Sequence, residues 1–261
     1  MKCYLYDGSF WGLLTAISIA LDDFSEKNRI IAKDEFCADL FTEPVEIATE
    51  IERVQRLLFE FKNYLNYEQL QDMQYVFLAN EPEREDLLLK YLHLIKISQG
   101  AMSKNDRNTV VLKLHRLSNQ VAFEVHRYQG LVRFRKLVEG IFYAPIKPKH
   151  NVVKLLAPHF IRRFTDQRFV IQDIGRCTGI YYDLHECRYL SFLEVNERLI
   201  AATLNLEINA NEIYDQEEVS YQKLWCEYFR EASIFERKNL KLQRQHLPKK
   251  YRDHLVEIFE E

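Results

Sequence analysis

The chain is poor in tight-turn residues. Its 261 residues include only seven glycines and six prolines, too few for an all-β sandwich built on many short hairpins. No run of about 18 apolar residues is present to cross a membrane. The N-terminus lacks the basic stretch and apolar segment of a signal peptide. A cytoplasmic protein with no membrane association is therefore expected. The five cysteines, Cys3, Cys37, Cys177, Cys187 and Cys226, are odd in number and widely spaced, and free thiols are the expectation in a reducing compartment. No CxxC occurs, so spacing supports neither an iron–sulfur cluster nor a structural zinc site. Cys177 and Cys187 with His185 between them could ligate a metal, but a pair of strand thiols is the simpler reading. HExxH, GxSxG and paired-carboxylate motifs are missing too. No cofactor is expected and no metal site is assigned.

What is present is apolar content enough for a real core: 47% hydrophobic and 13% aromatic residues. That marks a globular protein of one large domain or two small ones. The net charge of −3 is unevenly spread. Residues 1–105 carry 11 Lys/Arg against 18 Asp/Glu, residues 126–188 carry 12 against 5, and residues 225–252 carry 8 against 3. Two basic segments thus follow an acidic front, an asymmetry that suits a polyanion such as nucleic acid. The alternative is that acidic and basic segments neutralise each other internally.

Periodicity predicts a strand over 1–6, a helix over 9–23 capped by Ser9 or Asp7, and an extended segment or strand over 29–36. From Glu43 to Gln99 the pattern reads as helical throughout. A long helix over 106–128 should end before Gly130 as its C′ residue. Alternation then predicts strands over 131–137 and 141–146, joined as a hairpin by Val138-Glu139-Gly140. Asn151 should cap a helix running to Phe164, kinked or broken at Pro158. Further strands are expected over 168–174, 178–182 and 187–192. The stretch 199–208 reads as strand or helix, 216–233 as helix, and the basic tail 237–252 as one or two short helices. The order β-β-α-β-β defines an α+β fold with an antiparallel sheet. The expected partition is a mainly helical part over 1–128 and a sheet-containing part over 129–261.

Four constellations could carry chemistry. Tyr6, Asp7 and Ser9 stand at a strand-to-helix junction, where helix N–H groups suit an anion and Asp7 could act as acid or base. A capping turn is the competing reading. His126 and Arg127 close a long helix, and Arg133 and Arg135 share one face of the next strand. Unpaired guanidinium groups cannot face a core, so they meet carboxylates, solvent or phosphate, for which their planar fork is suited. His150, His159, Arg163, Asp173 and Arg176 follow within thirty residues. His126, His150, His159 and Asp173 form a candidate acid/base or metal-binding set, with Asp173 able to orient an imidazole. In the tail, Trp225, Tyr228 and Phe229 interleave with Arg237, Arg244 and neighbouring lysines, as on surfaces that stack bases while neutralising phosphates.

These residues, taken together, resemble a bacterial family described as "probable DNA metabolism protein", the domain of unknown function 4130. The resemblance lies in Leu5-Tyr6-Asp7-Gly8-Ser9-Phe10, in Glu124-Val125-His126-Arg127 with Arg133-Phe134, and in Tyr143-Ala144-Pro145 with His150-Asn151-Val152. It continues through His159-Phe160, Arg163, Asp173 and Arg176 to Trp225, Tyr228-Phe229, Arg237, Asn239, Gln243-Arg244-Gln245 and Tyr251. The chain departs from the pattern at Trp11, where an acidic residue is expected, and at Arg252, where a tryptophan is expected. The resemblance implies no activity of its own. It implies a context: companions of a putative DNA-repair or modification radical SAM protein, and domains fused to uracil-DNA-glycosylase-like domains. This chain lacks the CxxxCxxC motif of a radical SAM enzyme.

Three expectations follow. The first is a DNA-binding accessory protein of repair or modification, gripping DNA through Arg127, Arg133, Arg163, Arg176, Arg237 and Arg244. The second is an enzyme acting on a damaged nucleotide or phosphate ester, which requires its histidines and Asp173 to converge on one cleft. The third is a protein-interaction module, which requires a large exposed apolar patch within residues 43–97.

Overall fold

A computed structural model describes residues 2–38, 42–100, 108–137, 140–190, 214–233 and 239–257. The chain divides into two compact units, Met1–Ala122 and Phe123–Glu261.

In the first unit, β1 (Lys2–Tyr6) runs into α1 (Phe10–Asp22), and β2 (Arg29–Ala32) returns parallel to β1. A third strand, β3 (Glu43–Glu46), pairs parallel with β1 on its other side. This segment was expected to be helical. Pro44 explains the difference: without an N–H it fits an edge strand better than a helix interior. Then come α2 (Ile51–Phe61), α3 (Tyr67–Leu78), α4 (Arg84–Ile97) and the first part of α5 (Thr109–Leu131), whose residues from Phe123 on belong to the second unit. Asn66 and Gln69 form a reciprocal capping box at the start of α3, which is why the chain turns sharply there. Asp86 on α4 accepts the Ile30 amide at 3.1 Å and the Arg29 guanidinium at 2.5 Å, tying α4 to β2.

The second unit holds a five-stranded sheet in the order β4 (Arg135–Lys136), β5 (Phe142–Ile146), β6 (Phe169–Asp173), β7 (Thr178–Tyr182), β8 (Cys187–Leu190). It is mixed, not antiparallel: β5 and β6 run parallel, the other pairs antiparallel. The cause is α6 (Val153–Arg163), which lies between β5 and β6 in sequence and carries the chain back, so β6 restarts in the direction of β5. The fold is α+β, with helices and mixed sheets in one chain.

Both faces of the sheet are covered at β6, which is buried along its whole length. Phe169 packs with Phe134, Phe160 and Phe164 on the α6 side, at centroid distances of 5.6, 6.5 and 6.3 Å. Tyr143 and Val170 pack with Leu137 on the other side. Gly179 lets β7 approach β6: a Cβ there would stand 2.8 Å from the Ile171 carbonyl oxygen. The unit continues with α7 (Gln216–Glu231), α8 (Leu240–His246) and α9 (Lys249–Arg252). The tail thus forms two short helices, as expected. The stretch 199–208 lies outside the described residues. No helix among the described residues is long and apolar enough to cross a membrane.

Candidate functional site

Because β5 and β6 are parallel, their carboxyl ends open at the same edge of the sheet. That edge is where ligands sit in sheets with a crossover. Here the loop 147–152 after β5 meets the turn 174–177 after β6. Asp173, fully buried, ends β6. Its Oδ1 accepts the Gly175 and Arg176 amides at 3.0 and 3.2 Å, and its Oδ2 accepts Arg176 Nη1 at 2.8 Å. The same guanidinium donates to the Pro148 carbonyl at 3.2 Å and to the Lys149 carbonyl at 2.6 Å. Arg176 therefore clamps one loop to the other, with Asp173 holding its charge in place.

From α5, Glu124 grips the same loop by its amides. Only 4% exposed, it accepts the Lys149 N–H at 3.0 Å and the His150 N–H at 2.7 Å, and it also binds the Lys250 ammonium. Burial alone would raise the Glu124 pKa, but Lys250 and the two amides outweigh it and hold the carboxyl below its usual range. His150 is 2% exposed. Burial depresses its pKa, against the pull of Glu124, and the nearby cations Lys149, Lys250 and Arg176 depress it further, so the imidazole is kept neutral. Tyr251 on α9 stacks edge-on against Tyr128 at 5.0 Å and carries Arg127 over its ring at 5.8 Å. That packing delivers Lys250 to Glu124. Burial, with Glu124 beside it, pushes the Tyr128 phenol well above its usual value.

The charge at this edge is decided by where the carboxylates are. Arg127, Lys147, Lys149, Arg176 and Lys250 stand against Glu124 and Asp173. Both carboxylates are buried and saturated with donors, while the Lys147 and Lys149 side chains are exposed on either side of buried Pro148. These cations thus outnumber the two carboxylates.

A second feature lies in the same unit: a cleft of about 930 Å³ lined by Arg133, Phe134, Lys136, Phe142, Arg163, Gln167, Glu217, Glu218, Tyr221, Gln222 and Trp225, among others. Its charges largely cancel. Arg133 is held by Glu257 at 2.6 Å and lies over the Trp225 ring at 5.8 Å. Lys136 pairs with Asp215 at 3.0 Å. Arg163 is exposed and has no ion pair among the described residues.

The N-terminal turn satisfies itself. The Tyr6 hydroxyl is buried and donates to Glu85 at 3.0 Å. Asp7 Oδ1 accepts the Ser9 amide and hydroxyl at 2.9 and 2.6 Å, and its Oδ2 accepts the Thr49 hydroxyl at 2.8 Å. Burial opposes these bonds, yet they leave the Asp7 pKa lowered. Ser9 caps α1 by accepting the Gly12 amide at 2.9 Å. The Ser9 and Gly12 amides at this helix start are thus already occupied.

His150, Asp173 and Arg176 come together at the strand ends, while Arg127 lies over the Tyr251 ring. Arg133 and Arg163 line the cleft. His126 is exposed on α5 without a polar partner among the described residues, and His159 stands edge-on to Phe160 at 4.9 Å. Arg135 donates to the Tyr214 hydroxyl at 3.3 Å. Arg237 lies outside the described residues, as does the side chain of Arg244, whose backbone belongs to α8. Cys177, His185 and Cys187 do not gather into a metal-binding group, nor does any set of three such side chains among the described residues. Sequence reasoning gave no role to Glu124, Lys147 and Lys149, and placed Lys250 only among the basic residues of the tail. The signal for Glu124 was present: it shares the stripe of Leu117, Val121 and Tyr128 on α5, where a carboxylate must find donors.

Against known families, the one described as Domain of unknown function (DUF4130) matches residues 82–257, about two thirds of the chain. No curated protein and no solved structure matches.

Proposed function

The chain belongs to the DUF4130 family, and from that premise we propose that it is a DNA-binding accessory protein of DNA repair or modification. The observation that carries this reading is the cationic edge at the carboxyl ends of β5 and β6. There two buried carboxylates hold the loops rigid and leave lysine and arginine side chains facing outward. Phosphate oxygens suit such a surface, and the pre-ordered loop loses little entropy on binding. The enzyme it serves is the radical SAM protein or uracil-DNA-glycosylase-like protein that the resemblance implies. An acid/base role is supported less well, since Asp173 is saturated by Arg176 and its own turn, and His126 and His159 make no polar contact with His150.

The interaction reading has one observation in its favour. The first unit has a mainly apolar groove of about 440 Å³ lined by Leu57, Phe61, Leu70 and Met73 among others, with Tyr67 79% exposed at its side. Both roles fit one accessory protein: DNA on one unit, a protein partner on the other.

The test is fluorescence anisotropy with labelled single- and double-stranded oligonucleotides at increasing salt. If the five cations each meet a phosphate, log K falls against log salt with a slope of about −3.5 to −4.5. From about 50 to 200 mM salt the affinity should then drop on the order of a hundredfold or more. The K147E/K149E variant should weaken binding at least tenfold and flatten the slope. No detectable binding at low salt, or binding indifferent to salt, would sink the reading.

A further inference from the structure

The cleft beside α7 is not explained by phosphate binding, because its charges cancel. Its walls are of another kind. Tyr221 and Trp225 are one helical turn apart on α7, 62% and 40% exposed, and both line the cleft together with Phe134 and Phe142. Exposed rings on a rigid helix cost free energy in water unless something covers them. Their face offers a flat π-surface of the size of a heterocycle.

The polar groups between these rings can be assigned. Glu218 is buried and accepts the Lys136 amide at 2.9 Å through Oε2 and the Gln222 side chain at 2.8 Å through Oε1. An ionised carboxylate only accepts, so the Gln222 group facing it must be the NH2. The Gln222 carbonyl oxygen is then the atom left over as an acceptor. The Glu217 carboxylate adds a second acceptor on the lining, and neither it nor the Gln167 amide has a side-chain partner among the described residues. Arg163, exposed and without an ion pair, supplies a cation at the rim.

We infer that this cleft binds one unstacked nucleobase bearing an exocyclic amine (adenine, cytosine or guanine) between the α7 rings and the Phe134–Phe142 wall. The amine donates to Gln222 Oε1 or Glu217, the base plane stacks on Trp225 or Tyr221, and Arg163 meets the flanking phosphate. Thymine presents a carbonyl where the amine would be and faces acceptors with an acceptor. The inference rests on the DNA reading and narrows it: the preferred ligand is single-stranded or locally unpaired DNA, since a paired base cannot reach such a pocket.

The chain has two tryptophans, Trp11 and Trp225, so Trp225 fluorescence can be isolated by comparing the natural protein with W225F. Deoxyadenosine, deoxycytidine and thymidine are titrated as free nucleosides, and oligo(dA), oligo(dT) and a duplex are measured by anisotropy. Deoxyadenosine and deoxycytidine should quench the natural protein but not W225F, whose remaining Trp11 serves as the internal control. Thymidine should require at least about fivefold higher concentration, and removing both acceptors in E217M/Q222M should erase that difference. W225A should weaken oligo(dA) binding about tenfold or more and leave duplex binding unchanged. Absence of nucleoside quenching with duplex binding intact overturns the base site and leaves the DNA reading standing. Nucleoside quenching without binding to any oligonucleotide supports the base site and overturns the DNA reading. Equal quenching by thymidine overturns the assignment of Gln222 and Glu217.

Discussion

Replacing Glu124 by glutamine tests how the cationic edge is built. The carboxylate serves three donors: the Lys149 amide at 3.0 Å, the His150 amide at 2.7 Å and the Lys250 ammonium. Glutamine keeps the volume and one acceptor oxygen. Its NH2 must then confront an amide N–H or the ammonium, donor against donor. A hydrogen bond to a charged group contributes about 1.5–3 kcal/mol, and breaking a buried pair costs about 3–5 kcal/mol. Lys250 is 37% exposed at its side chain, so water compensates part of its loss. The expectation is a destabilisation of about 3 kcal/mol. Urea unfolding followed by far-UV circular dichroism reads it as a midpoint shift of roughly 1–2 M for an m of about 2 kcal/mol/M. With two units in the chain the transition need not be two-state. Hydrogen exchange at the Lys149 and His150 amides therefore provides the local reading, and both should lose protection. In the E124Q/K250M double variant the penalty should shrink, because the stranded ammonium is gone. A loss below about 1 kcal/mol with amide protection intact would refute the idea that Glu124 organises this loop.

Three further outcomes are expected. A Cβ at Gly12 would stand 2.1 Å from Asp7 Oδ1, so G12A should lower stability by about 1–3 kcal/mol and D7A/G12A should lose less than the two single changes together; thermal denaturation of the four proteins checks it. G179A drives a Cβ to 2.8 Å from the Ile171 carbonyl oxygen, and since that atom is backbone in the sheet the cost should be about 2–3 kcal/mol, seen as a lower urea midpoint. His150 has a pKa lowered by burial; the unfolded chain thus binds its proton first, stability should fall as pH drops below the ordinary histidine value of about 6.5, and H150Q should flatten that part of the stability–pH curve.

The strands of the second unit were legible because β6 and β7 are dense in branched and aromatic residues. Their direction was not. A buried strand spells the same apolar run whichever way it points, and only the intervening α6 betrays the parallel pairing of β5 and β6. The alternation over 131–137 misled for a related reason. Gly130 was expected to end α5, yet its φ is not positive and the helix runs on to Leu131. Only Arg135 and Lys136 then pair with β5. Asn151 was expected to cap α6, but Val152 occupies the cap position and Asn151 Oδ1 is buried without a partner. Pro158 sits inside α6 without ending it. The carbonyl it leaves unpaired is that of Lys154, an exposed residue, where water can serve. Of the site, single residues were legible but their pairings were not. Arg176 carries a charge that any reader would assign to phosphate, and only the fold shows that Asp173 and two carbonyls already occupy it.

That distinction bears on where the proposed DNA contact would arise. An arginine counted from sequence contributes to a polyanion site only if its partner leaves charge to spare. Arg133 fails this condition, being matched by Glu257. Arg176 fails it in part, since Asp173 takes one edge of its guanidinium. Lys147 satisfies it better. Lys147 and Lys149 are exposed on a loop whose backbone is fixed at both faces, by Glu124 at its amides and by Arg176 at its carbonyl. A fixed backbone carrying exposed lysines suits the phosphates of many sequences without choosing among them. Any selectivity must then come from elsewhere in the unit. The cleft has the opposite composition, with cancelled charge, exposed rings and a side-chain amide whose orientation a buried carboxylate dictates. On the proposed reading, affinity and selectivity for DNA would be separable in this fold, because the groups suited to each stand on different elements.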